Sequence, residues 1–523
     1  MLTACGGGEA PQPPSNDPLA AFTQQTLQWQ SCDPEALKIA PAPTREMLAG
    51  AQCALLRVPQ DYGQPADGEL QIELMRVAAR KPQQRLGALV FNPGGPGDDG
   101  VTLGATISMQ LASSKNARLR DMADRYDMVG FSPRGTGSTN PLHCDMEGAQ
   151  RADEKAKLEH MLYEDEDEAS AEQAEQRLGH LEVQSCMDNP LSRHIHTEAT
   201  ARDMDLLRAV LGEDKLNFIG YSYGTWLGAW YSRLFPERVG RMLFDSNLSI
   251  VNMDEWLSPS QLSKQRIAER FMLPLVTRIH QTLGLDASDP RNTLMALYRP
   301  LKMVLDDTLD FTQSSELQNA ALAIRAALVL QALHDSNSDA TPEEMEAMVR
   351  LSVFAPDASA DAQARETALD MLNRMKGNDA EDDSVNHGVN ISVRCNDAGN
   401  KRDAQYYLNR MQQDRLLYPM FDGLASEQCV HWTLPLRTFP PAPAGESAPL
   451  LMLQSRYDAP TPVEGAMETW MSLPQARMIL VEDEYQHGLF PYGTDCVDNQ
   501  VADYFLHGTL PQRLGSCAAR QQY

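Results

Sequence analysis

A chain of 523 residues with a formal net charge of −27 is longer than one small core requires. Its charge argues against nucleic acid or an anionic membrane surface as a partner. Composition is that of an ordinary globular protein, without collagen-like or disordered bias. No apolar run reaches the roughly 18 residues that a membrane-spanning helix needs.

In chain order, Leu2-Thr3-Ala4-Cys5-Gly6 resembles the lipobox of bacterial lipoproteins, in which the cysteine is lipidated after signal removal. The basic and apolar regions that usually precede a lipobox are missing, so the start reads as trimmed. Gln12 to Pro18 reads as a flexible tether, and residues 1–25 are assigned as leader. The alternation from Leu70 to Val77 predicts a β-strand. Gly87-Ala88-Leu89-Val90-Phe91 predicts a fully buried one, running straight into Asn92-Pro93-Gly94-Gly95-Pro96-Gly97. Tyr126 to Phe131 is the next strand, followed by the turn Ser132 to Gly137. The acidic run Glu164 to Glu168 reads as a solvated face. Ala199 to Leu211 has helical spacing and is ended by Gly212. Leu216 to Ile219, Arg241 to Asp245, Pro449 to Gln454 and Ala476 to Val481 complete the predicted strands.

Strands alternating with helices indicate an α/β sheet. Residues 251–435 break the pattern, being helix-rich, Met-rich and strand-poor, as in Ala320 to Leu330. The expected organisation is therefore a catalytic domain in two parts, 26–250 and 436–523, with a helical cap inserted at 251–435. The Met and Leu stripes of that cap read as core packing.

Gly220-Tyr221-Ser222-Tyr223-Gly224 lies between an apolar strand and a helix, the setting in which G-x-S-x-G forms a nucleophile elbow. A serine hydroxyl needs a base to take its proton, and the base needs an orienting carboxylate. Asp458 and His487 follow Ser222 in the chain order Ser, Asp, His, each just past the end of a predicted strand, where open α/β sheets place their sites. His507 is the rival base, but it falls in a predicted C-terminal helix. Asp483 is the rival acid, but it stands only four residues before His487 on the same strand exit. Backbone N–H groups of Gly95 and Tyr223 are the expected oxyanion donors. Asp127 and Arg134 are expected to brace the loop around the site. No Lys-Ser or Lys-Thr follows the glycine-rich loop, so a phosphate-binding loop is disfavoured. A metal site is disfavoured too: there is no C-x-x-C, and His194-Ile195-His196 has no ligand at suitable spacing.

Setting Cys5 aside leaves eight cysteines, an even number as in exported proteins. They fall into neighbouring pairs, Cys32 with Cys53, Cys144 with Cys186, Cys395 with Cys429 and Cys496 with Cys517. Spacing alone leaves the many other connectivities open.

Several motifs together resemble the prolyl and tripeptidyl aminopeptidase family of α/β-hydrolase serine peptidases, in the branch with a TAP-like C-terminal region. They are Asn92 to Gly97, Gly130 to Ser138, Gly220 to Thr225, Leu234 to Val239, Asp458 to Pro462, Gln486 to Gly488, and the tail from Cys496 to Cys517. The resemblance runs from about residue 29 to the C-terminus. It implies an α/β-hydrolase fold with a mostly parallel sheet, hydrolysis of peptides near a free N-terminus, no cofactor, and an exported or cell-envelope location. It also supports the neighbour pairing of the cysteines. It further implies acidic side chains for the substrate ammonium group, for which Asp397, Glu255 and Asp245 are candidates. Asp245-Ser246 departs from the Asp-Gly usual in the family. Two rival functions share the sequence features: a carboxylic ester or lipid hydrolase using the same triad, and a non-catalytic envelope binding protein.

Overall fold

The computed structural model describes residues 18–33, 44–144, 168–251, 261–267, 341–354, 358–375, 380–397, 403–417, 428–443 and 448–520, with scattered residues inside 153–161 and 269–340. Cys5, Glu255, most of the acidic run before Glu168 and most of Ala320 to Leu330 lie outside the described residues.

The described strands are β1 (Gln30–Ser31), β2 (Ala51–Pro59), β3 (Glu69–Val77), β4 (Gly87–Asn92), β5 (Tyr126–Phe131), β6 (Leu216–Tyr221), β7 (Val239–Asp245), β8 (Leu451–Ser455), β9 (Arg477–Glu482) and β10 (Leu514–Ala518). They form one sheet in the order β1-β2-β3-β5-β4-β6-β7-β8-β9-β10. From β5 to β10 neighbouring strands are parallel; β1, β2 and β3 join antiparallel at one end.

Parallel strands need crossovers, and crossovers cover both faces of the sheet. Hence β4 and β5 are buried along their whole length. Side chains alternate between faces, so each strand feeds two cores. Val90, Val129, Phe218, Phe244, Met452 and Met478 share one cluster, and Leu89, Phe91, Met128, Ile219, Leu243 and Ile479 share the other. The first face is covered by α4 (Thr197–Val210) and α5 (Tyr223–Leu234), through Met204, Leu207, Trp226 and Trp230. The second is covered by α1 (Leu103–Ser113), α2 (Ala117–Arg125) and α11 (Asp495–His507), through Ile107, Leu111, Met122, Val501 and Phe505. Between β5 and α4 runs α3 (Glu168–Asp188), and α10 (Val463–Ser472) links β8 to β9.

Between β7 and β8 the described elements are helical, including α6 (Pro342–Leu351), α7 (Ala358–Met375), α8 (Ala380–Asp397) and α9 (Ala404–Leu417). Thr341 and Glu344 close a capping box at the start of α6, satisfying N–H groups that a helix end leaves open. Helices α6 and α7 share a small core of their own, with Val349, Phe354, Ala364, Ala368 and Met371. By contrast α8 sends Val389, Ile391, Val393 and Cys395 into the main sheet cluster.

Four disulfides join separate elements. Cys32–Cys53 ties the entry strand to β2, and Cys144–Cys186 ties the turn after β5 to α3. Cys395–Cys429 ties the end of α8 to the following chain, and Cys496–Cys517 ties α11 to β10.

Candidate active site

Ser222 stands between the last residue of β6 and the first of α5, with φ 53° and ψ −121°. A non-glycine residue at positive φ costs about 1–3 kcal/mol and persists only where its surroundings over-determine it. Here they do: the Ser222 N–H donates to the Asp245 carbonyl at 2.9 Å, and the Ser222 carbonyl accepts from the Thr225 N–H and hydroxyl at 2.9 and 2.7 Å. The flanking glycines are required by space. A β-carbon at 220 would lie 2.3 Å from the Gly224 carbonyl oxygen, and one at 224 would lie 2.9 Å from Asn92 Oδ1.

The glycine-rich loop after β4 runs against this elbow. A β-carbon on Gly94 would sit 2.9 Å from Ser222 Cβ and 3.3 Å from the Tyr223 nitrogen. Gly94 is buried and Gly95 is exposed, so the loop offers Gly95 backbone to solvent beside the start of α5. Helix α8 holds the loop from the other side: Asn386 Nδ2 donates to Asp98 Oδ1 at 2.8 Å, and Asn390 Nδ2 donates to the Pro96 carbonyl at 3.0 Å.

Asp458 follows β8 and His487 follows β9, so adjacent parallel strands deliver both to one sheet edge. His487 Nδ1 is 3.0 Å from each Asp458 carboxylate oxygen, and Asp458 is 0% exposed. The Thr461 N–H donates to Asp458 Oδ1 at 2.9 Å, and the Thr461 hydroxyl lies 3.4 Å from Nδ1. Before His487, the buried Glu484 accepts from the Tyr485 and Gln486 N–H groups and from the Tyr492 hydroxyl. After it, the Asp245 carboxylate accepts from the Leu489 and Phe490 N–H groups, and Ser246 Oγ accepts from the Gly488 N–H at 2.9 Å.

Asp245 is therefore the hinge of the site: its carbonyl holds Ser222 and its carboxylate holds the His487 loop. Burial pushes its pKa up to about 7 against the pull of those N–H groups. Its 0% exposure removes it as a binder of a substrate ammonium group. A carboxylate at the end of the strand beside the nucleophile strand was the available signal for this role; Glu484, Thr461 and Ser246 carried no such signal.

Asp397 is likewise buried. It caps the start of α4 by accepting from the Thr197 N–H and hydroxyl, and it accepts from Trp226 Nε1 at 3.4 Å. The Thr197 hydroxyl in turn lies 2.6 Å from the Tyr223 hydroxyl. So this second candidate for the ammonium group is a brace beneath the elbow helix, because an N-terminal helix turn needs acceptors more than it can spare them. Burial raises its pKa to about 7. Its pKa in the unfolded chain is the ordinary carboxylate value, so between about pH 4 and pH 7 the folded state holds a proton that the unfolded state has released. Stability falls as pH rises through that window and levels off above it. Asp397→Asn is expected to remove this contribution, shrinking the stability difference between about pH 5 and pH 8 by about 2–3 kcal/mol, as read from urea unfolding at the two pH values.

The remaining candidates separate clearly. Asp483 is exposed and paired with Arg270 at 2.9 Å, and His507 is an exposed residue in the last turn of α11. Asp127 sits at the opening end of β5, where it accepts from the Ala79 N–H and Arg85 Nε. It braces the edge of the sheet away from the site, correcting the expectation that it supports the site loop. Arg134 does brace the turn after β5, donating to Asp203 with two nitrogens and to the carbonyls of Pro59, Gln60 and His194. His196 Nδ1 accepts from the Ala199 N–H as part of the α4 cap, and burial lowers its pKa. Among the described residues no group of His, Cys, Asp and Glu could hold a metal ion.

Comparison with known proteins agrees with this architecture. Residues 87–300 match the model of the alpha/beta hydrolase fold, and residues 419–517 match that of TAP-like proteins. The chain is 29% identical over 491 residues to a tripeptidyl aminopeptidase of Streptomyces coelicolor, covering 89% of this chain and 83% of that one. It is 24% identical over 517 residues to the serine protease Hip1 of Mycobacterium tuberculosis, covering 94% and 91%. It is 29% identical over 533 residues to carboxylesterase B of Mycobacterium tuberculosis, covering 96% and 94%. With its doubly covered parallel sheet, its serine at a strand–helix elbow and its C-terminal match, the chain is an α/β-hydrolase with a TAP-like C-terminal region, similar to tripeptidyl aminopeptidase and serine protease relatives.

Proposed function

We propose that the protein is a serine exopeptidase that releases single residues or short peptides from free N-termini through an acyl-enzyme. The carrying observation is the pairing of His487 Nδ1 with the fully buried Asp458, on a loop tied through Asp245 to the backbone of Ser222. In this reading Ser222 Oγ attacks the scissile carbonyl while His487 Nε2 takes its proton. The N–H groups of Gly95 and Tyr223 receive the negative charge that develops on the carbonyl oxygen, aided by the positive end of the α5 dipole. The tetrahedral species collapses, the imidazolium protonates the leaving amine, and Asp458 stabilises the imidazolium throughout. Water activated by the same imidazole then releases the acyl group. No step calls for a cofactor.

The relatives named as a tripeptidyl aminopeptidase and a serine protease support peptide substrates. The relative named carboxylesterase B supports the second reading, an ester hydrolase on the same triad. Free and N-acetylated aminoacyl- and tripeptidyl-anilides, compared with short acyl esters, separate the two. An exopeptidase anchored on the substrate ammonium group is expected to lose about 100-fold or more in kcat/KM on acetylation. Esters turned over faster than any anilide, without regard to a free amine, would establish the ester reading. Four disulfides fit an exported protein, and lipidation at Cys5 would hold it at the cell envelope.

A further inference from the structure

By sequence α8 belongs to the cap segment, yet it is built into the catalytic core. Val389, Ile391 and Val393 lie in the main sheet cluster, and Asn396 Nδ2 donates to the Ser192 and Ile195 carbonyls at 2.8 and 2.9 Å. A β-carbon on Gly388 would stand 2.9 Å from the Leu142 carbonyl oxygen, so helix and turn pack backbone to backbone there. At 3.6 residues per turn, positions 386, 390 and 397 share one side of a helix. Their contacts fix where that side looks. Asn386 Nδ2 donates to Asp98 Oδ1, and Asn390 Nδ2 donates to the Pro96 carbonyl. Asp397 accepts from Thr197, whose hydroxyl lies 2.6 Å from the Tyr223 hydroxyl. One side of one helix thus reaches both segments that carry the proposed oxyanion donors, the Gly95 loop after β4 and Tyr223 at the start of α5.

The loop needs such a support. Gly95 and Gly97 stand at φ 96° and 112°, a region open to glycine, whose backbone restrains itself least. On one side the loop abuts the elbow through Gly94. Among the described residues, side-chain hydrogen bonds to residues 93–98 come only from Asn386 and Asn390. Gly97 is also seated on Asn386, since a β-carbon there would lie 2.6 Å from Asn386 Oδ1. Asn92, at the root of the loop, is fully buried, but its amide has no hydrogen-bond partner among the described residues and adds no tie.

We infer that Asn390 and Asn386 are positioning residues, which hold the glycine-rich loop so that the Gly95 and Tyr223 N–H groups converge on one oxyanion. The inference rests on the acyl-enzyme part of the reading above. It is indifferent to the choice between peptide and ester, because both pass through a tetrahedral oxyanion. Donors aimed at that oxyanion act in the transition state more than in the ground state, so a displaced donor lowers kcat and spares KM.

The test begins with Asn390→Leu, which removes the donor to Pro96 without adding a charge, and Asn390→Asp, which removes it while keeping the outline of the side chain. Each is expected to lower kcat by about 10- to 100-fold, on whichever anilide or ester the wild type turns over, with KM changed by less than about threefold. A peptide boronic acid, whose adduct with Ser222 is tetrahedral and anionic, is expected to lose affinity by the same factor as kcat/KM. The matching peptide product, which forms no oxyanion, is expected to bind within about threefold of wild type. Circular dichroism reads the fold. A folded variant with normal kcat overturns the inference, and so does a loss carried by KM or one that spares boronate affinity. Should both variants fail to fold, Asn386→Ala at its half-buried position reads the same split, and a normal kcat there is equally decisive. A wild type that neither turns over these substrates nor labels with a fluorophosphonate defeats the acyl-enzyme reading. An active, labelled wild type whose variants keep their kcat defeats this inference alone.

Discussion

Ser222→Ala is expected to fold as the wild type does and to lose turnover by about four to six orders of magnitude. The fold is spared because the bonds that hold residue 222 at φ 53° are backbone bonds. Its N–H to the Asp245 carbonyl and its own carbonyl to Thr225 both survive the change. The elbow is held through the backbone of residue 222, not through its hydroxyl, so stability should change by less than about 1 kcal/mol. Catalysis is not spared, because no other nucleophile stands at the strand–helix turn. Residual rate then comes from substrate binding and from the donors of the glycine-rich loop and α5. Peptide hydrolysis, circular dichroism and fluorophosphonate labelling together read the outcome. Near-normal turnover by a correctly folded Ser222→Ala protein would end the acyl-enzyme mechanism.

Asp458→Asn should cost about four orders of magnitude in kcat with the protein still folded. The argument follows from which groups face the carboxylate. The Thr461 N–H donates to Oδ1 at 2.9 Å, while His487 Nδ1 lies 3.0 Å from Oδ2. An asparagine keeps its carbonyl oxygen toward the Thr461 N–H and must turn its NH₂ toward Nδ1. The imidazole then accepts at Nδ1 and carries its proton on Nε2, the nitrogen meant to receive the serine proton. The base is present but in the wrong tautomer. The signature is a fall in kcat with KM little changed, because the acid does not touch substrate. A variant retaining more than about a tenth of wild-type kcat would show that another carboxylate orients His487.

The legible parts of the sequence share one property: they are local. Strand β4 shows as an unbroken apolar run from Gly87 to Phe91 because both faces of a parallel sheet are buried. The elbow shows because a serine between two glycines at a strand–helix junction has few other uses. Strand β2 was not anticipated, although Leu56 and Val58 point inward around an exposed Arg57. Strand β10 is short and contains Gly515 and Ser516; its place is set by parallel pairing with β9 and by the bond from Cys517 to Cys496. The three acidic candidates for the substrate amine were chosen by type and position, and type says nothing of burial. Asp245 and Asp397 turned out to spend their oxygens on backbone N–H groups, and Glu255 lies outside the described residues.

By itself the sequence determined the alternation of strands and helices, the serine at the elbow, and the order in which Asp458 and His487 follow it past the ends of their strands. These depend on hydrophobic periodicity and on steric limits acting within a few residues. Only the tertiary structure decided that Asp245 joins Ser222 to the His487 loop across more than 240 positions of chain, and that α8 is bonded to both the glycine-rich loop and the helix cap beneath the elbow. Hydrogen-bond partners of buried groups are assigned by whatever the packed sheet brings within about 3 Å, and no pattern along the chain encodes that distance.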